Sequence, residues 1–188
     1  MFFEVQHKRL CGLHALNNGI GGHTFDTEGM DRAIEAVLEE SKVFAVHADI
    51  TTEDRPSNQC DPSGDYSDQA IAMALKQSGR WVLDQTPLHA QPRGIDRIFD
   101  SDVKCGLVHV PGHWFAVKVV DDTLWSLDSL AAGPVVIGKK GKEVSTRWLK
   151  GHKSVFVIRR TSGFGEGELA TGSGDRQQEG GDPQLQPL

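Results

Sequence analysis

The sequence lacks the features that mark membrane proteins, nucleic-acid-binding proteins and secreted proteins. No apolar run is long enough to span a bilayer. The formal net charge is −6 at pH 7, whereas phosphate binding requires a basic surface. The first residues contain neither a basic region nor a sustained apolar segment, so they do not predict a signal peptide. We therefore expect no membrane and no nucleic acid among its partners; a monomer is our expectation for its oligomeric state.

Cysteine is also scarce. The three thiols, Cys11, Cys60 and Cys105, are an odd number, and their spacing is not that of a disulfide framework. Such cysteines are typical of a reducing compartment. We therefore expect the protein in the cytoplasm, in the nucleus or in both.

The chain does contain enough apolar residues for one folded domain. Hydrophobic residues make up 38% of 188 positions, which is sufficient for a core. After residue 160 the composition changes, and seven of the last 28 residues are glycine. A segment so poor in apolar side chains cannot offset the entropy lost on ordering. We predict a domain over residues 1–160 and a disordered tail over residues 161–188.

Hydrophobic periodicity divides this domain into a helical half followed by a β-rich half. A helix begins near Cys11 and ends at the glycines from Gly19 onward. A second helix, capped by Asp26, ends before an exposed excursion over residues 42–65. A third helix, with its apolar positions within 70–75, is closed by Gly79. The remaining predictions are strands at 81–83, 103–110, 114–120, 124–127 and 154–159, and a short helix within 144–149. Helices first and strands after predict an α+β fold.

Cys11 has the surroundings of a nucleophile. It opens a helix, where the dipole and the first N–H groups favour a thiolate. Gln6 lies five residues upstream, and its side-chain amide is suited to stabilise an oxyanion together with the Cys11 N–H. The other interpretation of such a lone cysteine is a small buried apolar residue, which we favour for Cys105.

His113 and Asp128 supply the base and its orienting carboxylate. If the strands around them form a hairpin through Asp121 and Asp122, the two side chains come to the same end of it. The strand lengths on the two sides of the turn differ, and a bulge would absorb the difference. A carboxylate on one imidazole nitrogen leaves the other nitrogen for the thiol. The sequence therefore predicts a Cys11–His113–Asp128 triad and a thiol hydrolase that needs no metal or organic cofactor.

Two further residues are candidates for the substrate cleft. His14 lies one helical turn after Cys11, although a structural hydrogen bond is the simpler interpretation. Trp114 follows the base, and core packing explains it equally well. A zinc site was also weighed, but the cysteine and histidine spacings match no familiar zinc motif.

These motifs together resemble the Josephin family of cysteine deubiquitinases, and the resemblance extends from about residue 3 to residue 160. The matching segments are Gln6, Leu10-Cys11, His14-Ala-Leu-Asn17-Asn18, Phe25, His113-Trp114-Phe115 and Leu127-Asp128-Ser129-Leu130. The resemblance implies a papain-like α+β fold, in which a helical lobe carrying the cysteine packs on an antiparallel sheet carrying the histidine and the aspartate. It also implies cleavage at the C-terminal glycine of ubiquitin, with the nucleophile, base, orienting residue and oxyanion residue at Cys11, His113, Asp128 and Gln6.

The chain departs from the family at three places, one of which is a helix before the last strand that is shorter than expected for the family. Gly12 stands where alanine is more usual, and relatives carry a helical arm where this chain has the 42–65 excursion. Two other functions stay open at this point. One is a different papain-like peptidase, such as a leader-peptide processing type, and the other is a ubiquitin-binding module without catalysis.

Overall fold

The computed structural model describes residues 1–47, 66–91, 93–140, 147–148, 151 and 154–161. The α-helices are α1 (Cys11–Ile20), α2 (Thr27–His47) and α3 (Asp68–Gln77). The strands are β1 (Trp81–Asp84), β2 (Val103–Val110), β3 (His113–Val120), β4 (Thr123–Leu127), β5 (Val135–Lys139) and β6 (Ser154–Arg160). Two short 3₁₀ helices, Leu88–Ala90 and Gly94–Phe99, lie between β1 and β2.

The strands form one sheet in the order β1-β6-β2-β3-β4-β5, and every neighbouring pair is antiparallel. β6 inserts between β1 and β2, so the last of the described strands lies inside the sheet. Helices precede most of the strands along the sequence, and α1 packs directly on β3 and β2. The predicted α+β fold is confirmed.

Each face of the sheet has its own apolar core. Successive side chains of a strand point to opposite faces. In β3, Trp114 and Ala116 therefore join the core formed with the three α-helices. Phe115 and Val117 join a smaller core that includes Leu88 from the first 3₁₀ helix. His113 is the first residue of β3 and therefore lies at the end of the strand.

Gly19 lies inside α1 and does not end it, so the predicted helix end is wrong for Gly19 and confirmed for Gly21. All ten residues of α1 are buried, and the helix ends at Ile20, with Gly21 at its C-cap in the left-handed region (φ +96°). A methyl group added at Gly19 would lie 2.7 Å from Cys105 Sγ and 3.3 Å from Ala116 Cβ. Glycine at this position lets the helix backbone approach the sheet.

Other differences concern the ends and edges of elements. The Asp26 cap is confirmed, because its Oδ1 accepts the Gly29 N–H at 2.7 Å. However, α2 continues to His47, since residues 42–47 contain no glycine or proline to stop it. Both 3₁₀ helices and β5 were not predicted from the sequence. β5 is an edge strand whose largely exposed residues show no alternation of apolar and polar side chains.

Of the predicted helix at 144–149, only 147–148 are described, and they are helical. Residues 48–65 of the excursion and residues 162–188 of the tail lie outside the described residues.

Candidate active site

Cys11 is the first residue of α1, and only 5% of its surface is exposed. The preceding residue, Leu10, is the N-cap and has no side-chain oxygen to accept from the first-turn N–H groups. The helix is anchored along its whole length, since every one of its residues is buried. The fold therefore holds the thiol at the positive end of a fixed helix dipole.

The hairpin that joins β3 to β4 is tight and regular. Asp121 and Asp122 form its two-residue turn with φ of +49° and +56°, which is the backbone of a type I′ turn. The pairing runs from Val120 opposite Thr123 to Ala116 opposite Leu127 without a shift. The predicted bulge is therefore wrong.

His113 and Asp128 meet at the open end of this hairpin. Both residues lie beyond Ala116 and Leu127, the last residues that the two strands pair at this end. His113 Nε2 and Asp128 Oδ1 are 2.8 Å apart, with 15% and 32% of the two side chains exposed. Asp128 Oδ1 also accepts the Leu130 N–H at 3.0 Å, which fixes the carboxylate. Because Nε2 is engaged, Nδ1 is the nitrogen that remains for a thiol.

Gln6 is joined to the residue that follows Asp128. Its backbone N–H donates to the Ser129 carbonyl at 2.9 Å, and its side-chain Oε1 accepts from Ser129 Oγ at 3.2 Å. Its Nε2 donates to the Lys8 carbonyl at 2.7 Å. A glutamine amide has two hydrogens, and this bond uses one of them. Gln6 thus approaches the His113–Asp128 pair from the segment that leads into Cys11.

Tyr66 links the helix carrying Cys11 to the strand carrying His113, and the sequence analysis missed it. Its carbonyl accepts the Trp114 indole N–H at 2.8 Å, and its ring packs against Gly12. Burial, with smaller electrostatic contributions from Asp31 and Cys11, raises the pKa of the Tyr66 phenol to about 12. The only signal in the sequence is that Tyr66 is the single tyrosine of the chain.

His14 belongs to a polar network behind the thiol. Its Nδ1 donates to Glu4 Oε1 at 2.6 Å, and its Nε2 accepts the His7 N–H at 3.2 Å. Asn17 also donates to Glu4 Oε1, at 3.1 Å. The ring is buried and both nitrogens are engaged. His14 therefore makes structural hydrogen bonds, as the simpler interpretation predicted, and does not line the substrate cleft.

Trp114 lies in the core. Its ring is fully buried, stacks on His109 with 4.2 Å between ring centroids, and donates its N–H to Tyr66. A side chain with no exposed surface does not line an open cleft, so the structure corrects the cleft assignment. Trp114 instead holds β3 against the helical lobe, one residue away from His113.

Three further properties of the described residues concern metal binding, the second buried thiol and membrane insertion. Among them, no cluster of three or more His, Cys, Asp or Glu side chains could hold a metal ion. Burial raises the pKa of the Cys105 thiol to about 12, which keeps it neutral. None of the helices in the described part of the chain combines the length and apolarity needed to cross a membrane.

Comparison with known families matches residues 6–159 to the Josephin family. The chain belongs to this family. The matched range of this Josephin chain includes Gln6, Cys11, His113 and Asp128.

The curated relatives are Josephin proteins of greater or similar length. Ataxin-3 of Homo sapiens is 31% identical over 144 residues, which cover 73% of this chain and 39% of ataxin-3. The ataxin-3 homolog of Arabidopsis thaliana is 30% identical over 175 residues, covering 85% of this chain and 59% of the homolog. Josephin-2 of Homo sapiens is 28% identical over 148 residues, with 73% of each chain covered. The chain therefore spans about two fifths of the length of ataxin-3.

Proposed function

We propose that this Josephin-family chain is a cysteine deubiquitinase that hydrolyses thioester and isopeptide bonds at the C-terminal glycine of ubiquitin. Family membership supports a deubiquitinase-type function. The observation that carries the finer assignment is the 2.8 Å contact between His113 Nε2 and Asp128 Oδ1, which leaves Nδ1 for a thiol. Cys11, at the start of a buried helix, is the nucleophile, and Gln6 contributes to the oxyanion hole.

The first half of the reaction forms an acyl-enzyme. His113 takes the proton of the Cys11 thiol, and the thiolate sulfur attacks the carbonyl carbon of the terminal glycine. The oxyanion that develops is stabilised by Gln6 Nε2 and the Cys11 N–H. The carbonyl then re-forms, the bond from carbon to the lysine nitrogen breaks, and His113 gives its proton to the departing amine.

The second half returns the enzyme to its starting state. His113 takes a proton from a water molecule, whose oxygen attacks the thioester carbon. The C–S bond breaks, and the sulfur leaves as thiolate and regains a proton from His113. Asp128 keeps the imidazole in one orientation through both halves. Each step uses only side chains, backbone N–H groups and water.

Ubiquitin and ubiquitinated proteins are the partners that this proposal implies. Cytoplasmic or nuclear residence belongs to the same proposal, and it is supported by three cysteines whose spacing is not that of a disulfide framework. The deubiquitinase assignment concerns the bond that is cleaved and not the choice of substrate protein.

Hydrolysis of ubiquitin carrying a fluorogenic amide at its C-terminus tests the proposed function. The wild-type protein is expected to release the fluorophore, Cys11→Ala to release none, and Cys60→Ala to match the wild type. Binding of ubiquitin without turnover, equal in wild type and Cys11→Ala, would replace the proposal with a non-catalytic binding module. Hydrolysis of unrelated peptides but not of ubiquitin would replace it with a different papain-like peptidase.

A further inference from the structure

The contact between Tyr66 and Gly12 lies next to the nucleophile. A methyl group added at Gly12 would lie 2.8 Å from Tyr66 Cδ2, 3.3 Å from its Cβ and 3.4 Å from its Cγ. The ring therefore occupies the space that any larger residue at position 12 would need. Gly12 immediately follows Cys11, so this contact fixes the first turn of α1 at the residue beside the thiol.

Tyr66 has little freedom to move away. Its side chain is buried, with 3% of the residue exposed. Its carbonyl accepts the Trp114 N–H at 2.8 Å inside the core. The next residue, Ser67, caps α3 by accepting the Ala70 N–H at 3.1 Å. Because the main chain is held at the Tyr66 carbonyl and at Ser67, and the close contacts include Cβ, rotation of the ring alone cannot relieve them.

We propose that Tyr66 is a positioning residue for the thiol site. Its ring, packed on Gly12, and its carbonyl, bonded to Trp114, set the distance between the start of α1 and the strand that carries His113. The inference rests on the proposed function, since it concerns the alignment of Cys11 with its base. It also gives a physical reason for glycine at position 12, because alanine would meet the Tyr66 ring.

Gly12→Ala is the variant that tests this spacing, and Gly22→Ala is its matched control. A methyl group at Gly22 would meet no atom within 4 Å, whereas the one at Gly12 would force α1 and Tyr66 apart. Ubiquitin-amide hydrolysis by Gly12→Ala should fall by about 10- to 100-fold in kcat with KM little changed, since small displacements of reacting groups are costly. Gly22→Ala should retain the wild-type rate. Alanine is the better helix former, so helix propensity predicts no loss for Gly12→Ala inside α1, and Gly22 lies outside the helix.

Alkylation of Cys11 by iodoacetamide across a range of pH provides a readout that is independent of ubiquitin. A thiol aligned with an imidazole reacts below the pH at which an ordinary thiol ionises, about 8.5. In Gly12→Ala the rising limb of the rate should move towards that ordinary value. In Gly22→Ala the rising limb should stay at the same pH as in the wild type. A general loss of stability would lower the melting temperature without moving this limb.

A double-mutant cycle attributes the effect to the ring. Tyr66→Phe keeps the ring, so adding Gly12→Ala to it should lower kcat as much as in the wild-type background. Tyr66→Ala removes the ring, so adding Gly12→Ala to it should lower kcat by less than about threefold relative to Tyr66→Ala alone. An equal effect of Gly12→Ala in both backgrounds would overturn the proposal. If Tyr66→Ala does not fold, the single Gly12→Ala variant decides, and an unchanged alkylation profile with unchanged kcat overturns the inference. A wild type that alkylates at low pH but does not cleave ubiquitin would refute the proposed function and leave this inference standing.

Discussion

Removal of the Asp128 carboxylate should disable the base while leaving the thiol in place. In the structure, Asp128 Oδ1 holds His113 Nε2 at 2.8 Å and the Leu130 N–H at 3.0 Å, so one oxygen fixes both the ring and the local backbone. Asp128→Ala removes the acceptor that selects the tautomer with Nδ1 facing the thiol. By comparison with other triads the loss in kcat should be about 10² to 10⁴, or about 2.7 to 5.5 kcal/mol of transition-state stabilisation.

Asp128→Asn is the matched control. Its side-chain carbonyl oxygen can accept from both His113 and Leu130, so the imidazole keeps its orientation and the loss should stay within about tenfold. The assay is steady-state hydrolysis of a ubiquitin C-terminal amide, with the melting temperature of each variant measured alongside. Equal activity of Asp128→Ala and the wild type would refute the assignment. An Asp128→Asn variant as inactive as Asp128→Ala would show that the negative charge matters and not the orientation of the ring.

Three further predictions concern Gln6, Gly19 and Cys105. Gln6→Ala removes an oxyanion donor and should lower kcat by about 10² to 10³, measured with the same amide, and a loss below about threefold would contradict that role. Gly19→Ala should destabilise the fold by about 1 to 3 kcal/mol in urea unfolding, because its methyl group would lie 2.7 Å from Cys105 Sγ. Adding Cys105→Ala should restore part of that stability, and no restoration would contradict the packing argument. Burial raises the pKa of Cys105 to about 12 in the folded protein, whereas the thiol pKa in the unfolded chain is about 8.5. The stability that the neutral thiol contributes is therefore fully present below about pH 8.5 and is lost as the pH rises towards 12. Urea unfolding should therefore show a decline above about pH 8.5 that Cys105→Ala reduces, and identical pH profiles would contradict it.

The sequence was informative where the chemistry is local. The Gln6–Cys11 spacing, the helix that begins at the cysteine and the Asp121–Asp122 turn each depend on residues near one another in the chain. The turn residues indicated a hairpin, and the hairpin brings His113 to Asp128. The prediction of a bulge failed because the hairpin pairs without a shift, and the two side chains meet beyond its last paired residues.

Features that depend on close approach between distant elements were not predictable. Gly19 indicates a helix end by local propensity, but tertiary packing overrides that preference because α1 must approach Cys105 and the sheet closely. Tyr66 carried no motif, and its contacts with Gly12 and Trp114 join residues far apart in the sequence. β5 was not predicted because an exposed edge strand need not alternate apolar and polar residues.

The central claim is that Cys11 attacks the C-terminal carbonyl of ubiquitin. The most direct measurement is mass spectrometry of the protein after incubation with ubiquitin carrying a thiol-reactive group at its C-terminus. The account predicts an adduct one ubiquitin heavier, mapped to Cys11 and absent in Cys11→Ala. Folded wild type that forms no adduct, while a small thiol reagent still labels Cys11, would contradict it.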